Sequence, residues 1–259
     1  MALELLNTSH VEAHLDRFPL NDANFARRLF SGDLTRYRAR IEQFGICSSD
    51  TILDAGAGFG QWSVAFSEVA KSVHAYEVDP KRVEFLDWMA SHLKIQNVIA
   101  RQGCLEKLPY PSNMFDFVFA YGSVFLTDWK VSIASLIKTL KPGGRLYMSL
   151  NDIGWYLYLW ESEHNKDQIY DPKGDIPRIF QNTLAYDRGL PLVRGQEDSH
   201  SIITQQKLSA FINSFEDCQL IYLGEEGSYG HLESEDLRNF FIGSYRSIPA
   251  VYDAVISKT

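Results

Sequence analysis

Only three of the 259 residues are cysteine, Cys47, Cys104 and Cys218, and no two of them form a Cys-x-x-Cys pair. An odd, scattered set of thiols excludes a disulfide framework and a thiolate zinc site, and no metal site is expected. The usage is that of a reducing, cytoplasmic protein. Positive charge is in deficit: 25 Lys+Arg against 33 Asp+Glu leave a formal net charge of −8, with no basic cluster. Such a chain lacks the electrostatic footprint of a nucleic-acid binder. No apolar run reaches the length of about 20 residues that a bilayer-spanning helix requires, so no membrane partner is expected. The N-terminus lacks the basic region and apolar core of a signal peptide. Also missing are internal repeats and the Gly-Lys-Ser/Thr triplet that ends a phosphate-cradling loop.

What is present suffices for one sizeable core: 45% of the residues are hydrophobic and 22% charged. The chain reads as a single domain over 1–259, monomeric or homodimeric. Its organising stretch is Thr51-Ile-Leu-Asp-Ala-Gly-Ala-Gly-Phe-Gly-Gln61. Thr51 to Leu53 has the apolar, β-branched character of a buried parallel strand. Glycines at alternate positions (Gly56, Gly58, Gly60) then lead into a helix from Gln61. A strand that turns through glycines into a helix brings bare backbone and N–H groups to a ligand. The dinucleotide fingerprint would need a glycine where Gln61 stands.

Further on, Ser72-Val-His-Ala-Tyr-Glu77 reads as a second strand ending in an acid, placed to accept two ribose hydroxyls. Asp79 reads as the N-cap of a helix begun by Pro80. Val98 to Gly103 is a third strand. Cys104-Leu-Glu-Lys-Leu-Pro-Tyr-Pro-Ser-Asn-Met-Phe-Asp116 leads into the apolar strand Phe115 to Tyr121. A helix over 130–140 ends at Lys141-Pro-Gly-Gly144, before another buried strand that runs to Leu150.

The pattern Asp54-x-Gly-x-Gly-x-Gly resembles the first motif of the class I S-adenosylmethionine (SAM) methyltransferases. Glu77-Val-Asp-Pro80 resembles the second, and the Leu-Pro-Tyr and Lys-Pro-Gly-Gly segments continue the likeness across residues 50 to 151. The resemblance implies an α/β fold: a doubly wound, mostly parallel seven-stranded sheet of order 3-2-1-4-5-7-6, its last strand antiparallel. It also implies SAM as cofactor, with S-adenosylhomocysteine as product. Its binding residues would be Asp54, Gly56, Ala57, Gly58 and Gly60 in the loop, and Glu77 and Val78 at the second strand tip. Cys104, Leu105 and Glu106 would lie beside adenine, and Tyr121 near the methyl group. Members commonly carry an aspartate where this chain has Cys104, a poor substitute as an acceptor for the adenine amino group. Leu105 backbone and Glu106 side chain are the alternative holders.

Around this core (49–151) the resemblance implies a helical lid over 1–48, with Tyr37 and Arg36 as lid contacts. It also implies a substrate-side insertion over 152–200, and the remaining sheet over 201–259, including a helix around Ser234 to Tyr245. The insertion opens with Trp155, Tyr156, Tyr158 and Trp160. On a helix, Trp155 shares a face with Tyr158, and Tyr156 with Trp160. One pair is expected to pack on the core and the other to face an acceptor. A small organic methyl acceptor, modified at O or N, is the expected partner, with Tyr37 and the insertion aromatics as its contacts. Where a base is needed, Tyr121, His200, His164 and His231 are the candidates, each histidine being equally readable as an ordinary surface residue. Two other classes stay open: a SAM-binding protein without catalysis, and a methyltransferase acting on protein or tRNA. A nicotinamide enzyme of similar fold is disfavoured by the glycine spacing.

Overall fold

The computed structural model describes residues 8–31, 35–164, 166, 170–192, 200–230 and 240–259. Helices α1 (Thr8–Glu12), α2 (Leu20–Ser31) and α3 (Thr35–Glu42) precede the first strand. Then come β1 (Thr51–Ala55), α4 (Gln61–Ser67), β2 (Ser72–Glu77), α5 (Pro80–His92), β3 (Val98–Gln102) and β4 (Phe115–Tyr121). The chain continues through α6 (Trp129–Thr139), β5 (Leu140–Asn151), α7 (Ile153–Ser162), α8 (Pro172–Asp187), α9 (Gln205–Ile212) and β6 (Cys218–Glu225). It closes with β7 (Ser244–Tyr245), β8 (Ile248–Pro249) and β9 (Val251–Lys258).

The large sheet has the order β3-β2-β1-β4-β5-β9-β6. Its β3-β2-β1-β4-β5 portion is parallel, while β9 runs antiparallel to both β5 and β6. This is the expected topology, with β9 in the place of the seventh strand. Strands β1 and β4 are buried on both faces because helices cover both sides, which explains their near-continuous apolar runs. One core cluster gathers Phe44, Phe59, Trp62, Phe66, Phe85 and Phe119 beneath α2–α5. Another lies on the opposite face, around Trp129, Ile133, Leu136 and Leu208 from α6 and α9. Residues Tyr156, Leu159, Ile176 and Ile179 join α7 to α8 in a small satellite core.

Local chemistry starts the helices where the side chains allow it. Asp79 accepts from the Lys81 N–H with Pro80 in the first turn, and Thr204 accepts from Lys207 N–H. One expectation is corrected. The helix around Ser234 to Tyr245 falls partly on residues outside those described, and its end is a strand: Ser244–Tyr245 pairs with Ile248–Pro249. Arg246 and Ser247 between them take φ of 49° and 62°, the left-handed geometry of a two-residue hairpin turn. The hairpin lies against α7, where a Cβ on Gly154 would come within 2.4 Å of the Ile248 carbonyl. No helix among the described residues is long and apolar enough to cross a membrane.

Candidate active site

A cavity of about 490 Å³ opens at the carboxyl ends of the parallel strands, where open α/β sheets bind their ligands. The segments after β1, β2, β3, β4 and β5 all reach it. The glycine loop after β1 makes one wall. Gly56, Gly58 and Gly60 take φ of 80°, 57° and 82°, which glycine adopts without strain. Their surroundings differ. A Cβ on Gly56 would lie 2.3 Å from Ser123 Cβ, and one on Gly60 2.0 Å from Leu86 Cδ2, whereas one on Gly58 would meet nothing within 4 Å. Gly56 and Gly60 are thus packing glycines, while Gly58 borders open space.

The expectation of N–H groups bared toward a ligand is corrected at four positions. Gly56 and Ala57 donate to the Tyr76 carbonyl, Gly60 donates to the Ala57 carbonyl, and Gly58 donates to Glu77 Oε2 at 2.8 Å. The loop closes on its own neighbours rather than forming an anion cradle. That suits a ligand without phosphates on this side.

Glu77, nearly buried, accepts three backbone hydrogen bonds: Gly58 N–H on Oε2, and Val78 N–H (2.9 Å) and Asp79 N–H (3.0 Å) on Oε1. The carboxylate is therefore fixed in orientation at the cavity edge, with a second lone-pair direction left on Oε2. Asp54, 2% exposed, accepts from Ser63 Oγ at 2.5 Å. Burial and, to a lesser degree, the Glu77 charge push its carboxyl up to about 7, against the lowering by the Ser63 hydrogen bond. Gln61, at the start of α4, also lines the cavity, and its side-chain carbonyl is buried with no hydrogen-bond partner. Val78, Cys104, Leu105 and Glu106 border the same end. Glu106 Oε1 accepts from Asp128 N–H at 3.2 Å, so it is turned partly toward the start of α6.

Aromatic rings form the other end. Tyr37 from α3 meets Trp62 edge-on at 4.7 Å and stacks on Phe240 at 5.3 Å. Tyr121 approaches Trp62 at 5.1 Å, and Phe241 meets Trp155 edge-on at 5.5 Å. Behind these rings lies a buried ionic cluster with no counterpart in the sequence reading. Arg40 (1% exposed) donates to Glu226 Oε1 at 2.5 Å, Asp253 Oδ2 at 3.3 Å and the Tyr147 hydroxyl at 3.1 Å. Glu226 also accepts from the Tyr121 hydroxyl at 2.8 Å, and from Phe240 N–H at 2.8 Å. Its one carboxylate therefore joins α3, the tip of β4 and the Phe240 segment. Burial works against charge on Arg40, but Tyr147, Glu226, Tyr121 and Asp253 outweigh it and hold the guanidinium charged. Asp253 is pushed up to about 7 by burial and then by Glu226, against the pull of Arg40.

The expected catalytic side chains are dispersed. Tyr121 contributes its ring to the cavity, and its hydroxyl proton is committed to Glu226. Burial, and then Glu226, hold that phenol well above its usual range. His200 borders a second cavity of about 560 Å³, edge-on to Phe125 at 5.7 Å. His164 is exposed, 3.3 Å from the Tyr158 hydroxyl, and borders neither cavity. His231 lies outside the described residues. Of the insertion aromatics, Trp155 borders both cavities and Tyr156 the second. Tyr158 packs against Trp155 and, at 5.5 Å, Tyr245. The expected division into pairs is corrected: Tyr156 is buried, yet Trp160 is 41% exposed under the Lys173 ammonium (4.2 Å). One turn beyond Tyr156, the helix has passed the satellite core that covers it.

The cavity thus joins a fixed carboxylate and an open glycine wall to an aromatic end. A family model described as a methyltransferase domain matches residues 52–144. Over those residues the chain is similar to the class I SAM-dependent methyltransferases. A ubiquinone/menaquinone biosynthesis C-methyltransferase, UbiE, of Marinomonas sp. is 33% identical over 125 residues, 46% of this chain and 50% of that protein. The uncharacterized methyltransferase YcgJ of Bacillus subtilis is 29% identical over 98 residues, 38% of this chain and 39% of that one. The chain spans half or less of the length of these curated relatives. The geranyl diphosphate C-methyltransferase of Streptomyces coelicolor, solved with Mg2+, geranyl diphosphate and S-adenosyl-L-homocysteine, shares the fold. Its TM-score is 0.58 at 15% identity, covering 90% of this chain and 78% of that one.

The methyltransferase domain's own residues fit SAM. An open wall at Gly58, a carboxylate fixed for hydroxyl donors at Glu77 and an unpaired buried carbonyl at Gln61 match its ribose and ammonium groups. Of the residues that sequence reasoning missed, Gln61 directly follows the glycine motif and was within reach. Arg40, Glu226, Phe240 and Asp253 carry no local pattern that marks them.

Proposed function

We propose that this protein transfers a methyl group from SAM to a small organic molecule. The observation that carries the reading is Glu77, locked by three backbone N–H groups at the edge of a cavity walled by Gly58 and closed by aromatic rings. Glu77 would accept the ribose hydroxyls, Gln61 and Asp54 would meet the ammonium of the methionine end, and Val78 with Leu105 would flank adenine. When bound, SAM supplies a methyl group already activated by its sulfonium charge. The protein's part is then alignment and exclusion of water, which is worth several kcal/mol of barrier. Tyr37, Trp62 and Tyr121 supply faces that accept a nearby cation.

The acceptor atom is O or N on this reading. The curated relatives named as C-methyltransferases add carbon as a third choice. A [4+2]-cyclase with the same fold (TM-score 0.56, 14% identity) makes the distinction between binding and transfer a necessary measurement. Calorimetric titration with S-adenosylhomocysteine should show binding, and Glu77→Ala should weaken it by about 1.5–3 kcal/mol. Binding of NADH with none of SAM would overturn the reading. Unchanged affinity in Glu77→Ala would remove that residue from the site.

A further inference from the structure

The first cavity, about 490 Å³, has the size of one cofactor-sized ligand, and the glycine loop, Glu77 and the Cys104–Glu106 segment already give most of it to SAM. An acceptor needs its own space. The second cavity, about 560 Å³, supplies it. Four residues border both: Phe25, Phe125, Asn151 and Trp155. They form a shared neck between cofactor and second chamber, with no charged side chain among them.

We propose that this second chamber, between α2 and the α7–α8 insertion, is the acceptor site, and that the acceptor has an apolar body carrying uncharged oxygen groups, hydroxyl or carbonyl. The assignment rests on the methyltransferase reading above. Phe25, Phe125, Trp155, Leu159 and Ile179 give the chamber an apolar wall suited to a ring or chain. Its polar lining is richer in donors than in acceptors. Asn24 Oδ1 already accepts from Arg27 Nη1 at 2.9 Å, which leaves the amide N–H groups to donate. The charged groups of the lining include Asp22, paired with Arg82 at 2.9 Å, and Lys166, paired with Glu163 and Asp171. That pairing also neutralises Lys166, and the other cation of the lining, Arg28, lies over the Phe25 ring at 5.9 Å. Tyr156 supplies an independent sign. It lines the chamber and is 2% exposed, and the side chain that meets its buried hydroxyl is Asn151, at the neck. An amide and a hydroxyl together hold more N–H and O–H donors than one mutual hydrogen bond uses, and a ligand oxygen would take one of them.

The test uses the full chain saturated with S-adenosylhomocysteine and three probes: naphthalene, 2-naphthol and 2-naphthoate, titrated by tryptophan fluorescence. Wild type should bind 2-naphthol about tenfold tighter than naphthalene and no more weakly than 2-naphthoate. Asn24→Trp, a surface change on α2 that narrows the chamber, should weaken 2-naphthol about tenfold or more and leave S-adenosylhomocysteine affinity within about twofold. Tyr156→Phe keeps the packed ring and removes the oxygen; it should erase the preference for 2-naphthol without lowering the melting temperature. Equal binding of naphthalene and 2-naphthol, or no binding of either, overturns the acceptor class. Tighter binding of 2-naphthoate that is lost in Arg28→Gln replaces it with an anion. Full 2-naphthol affinity in Asn24→Trp moves the acceptor out of this chamber. If S-adenosylhomocysteine itself does not bind wild type, the methyltransferase reading has failed instead.

Discussion

The two ends of the first cavity are built in opposite ways. The glycine-loop end comes from one continuous stretch, residues 54 to 106, whose members lie at successive strand tips of a parallel sheet. The aromatic end takes Tyr37 from before the first strand, Trp62 and Tyr121 from the core, Trp155 from the insertion and Phe240 from near the C-terminus. It is held together by charge buried behind it. Glu226 alone receives hydrogen bonds from Arg40, Tyr121 and Phe240. The comparison teaches that a site made by local turns is secured by backbone hydrogen bonds, whereas a site assembled from remote segments needs a side-chain hub.

Removing the hub's cation should break the aromatic end most severely. Arg40→Met leaves Glu226 and Asp253 buried without a counter-charge, at an expected loss of about 3–5 kcal/mol in denaturant unfolding. A loss under about 1 kcal/mol would mean that the cluster is no hub.

Each end also holds one carboxyl raised to about 7, Asp54 and Asp253. The folded state then keeps a proton that the unfolded chain releases near its ordinary value of 3.8. Their contribution to stability is complete below about pH 4, falls as pH rises through 7, and is level above that. Asp54→Asn and Asp253→Asn should each reduce that fall, by a few kcal/mol at most. Unfolding measured at pH 5 and pH 8 checks it; slopes identical to wild type in both variants would refute the linkage.

The glycines sharpen the contrast within the loop. Gly60→Ala drives a Cβ into Leu86 and Met89 at a φ of 82°, so it should cost about 2–4 kcal/mol of stability. Gly58→Ala meets no atom and should cost only about 1–2 kcal/mol through its backbone, yet weaken S-adenosylhomocysteine binding in calorimetry. Equal stability losses with unchanged binding would make Gly58 another packing glycine. The smallest effect is expected from Trp160→Ala, where an exposed ring under Lys173 should contribute no more than about 1 kcal/mol to the melting transition.

Much of this molecule could be read from its residues in order. Alternating glycines after Leu53, an acid ending β2 and apolar runs at 115–121 and 145–150 specify the parallel sheet and its ligand-bearing edge. Strand tips and loops obey short-range rules: a glycine permits positive φ, and a run buried on both faces has no polar alternation. The cap at Asp79 was legible for the same reason.

Tertiary structure decided the rest. It split the Tyr156 and Trp160 pair, because only one of them lies under the satellite core. It turned Ser244–Tyr245 into a hairpin strand against α7, where the helical reading had no view of the partner strand. It also turned the Tyr121 hydroxyl toward Glu226, 105 residues away. Contacts between residues this distant depend on how whole elements dock, and no pattern of neighbours along the chain encodes them. The glycine-loop end was therefore determined by sequence alone, and the aromatic end by packing.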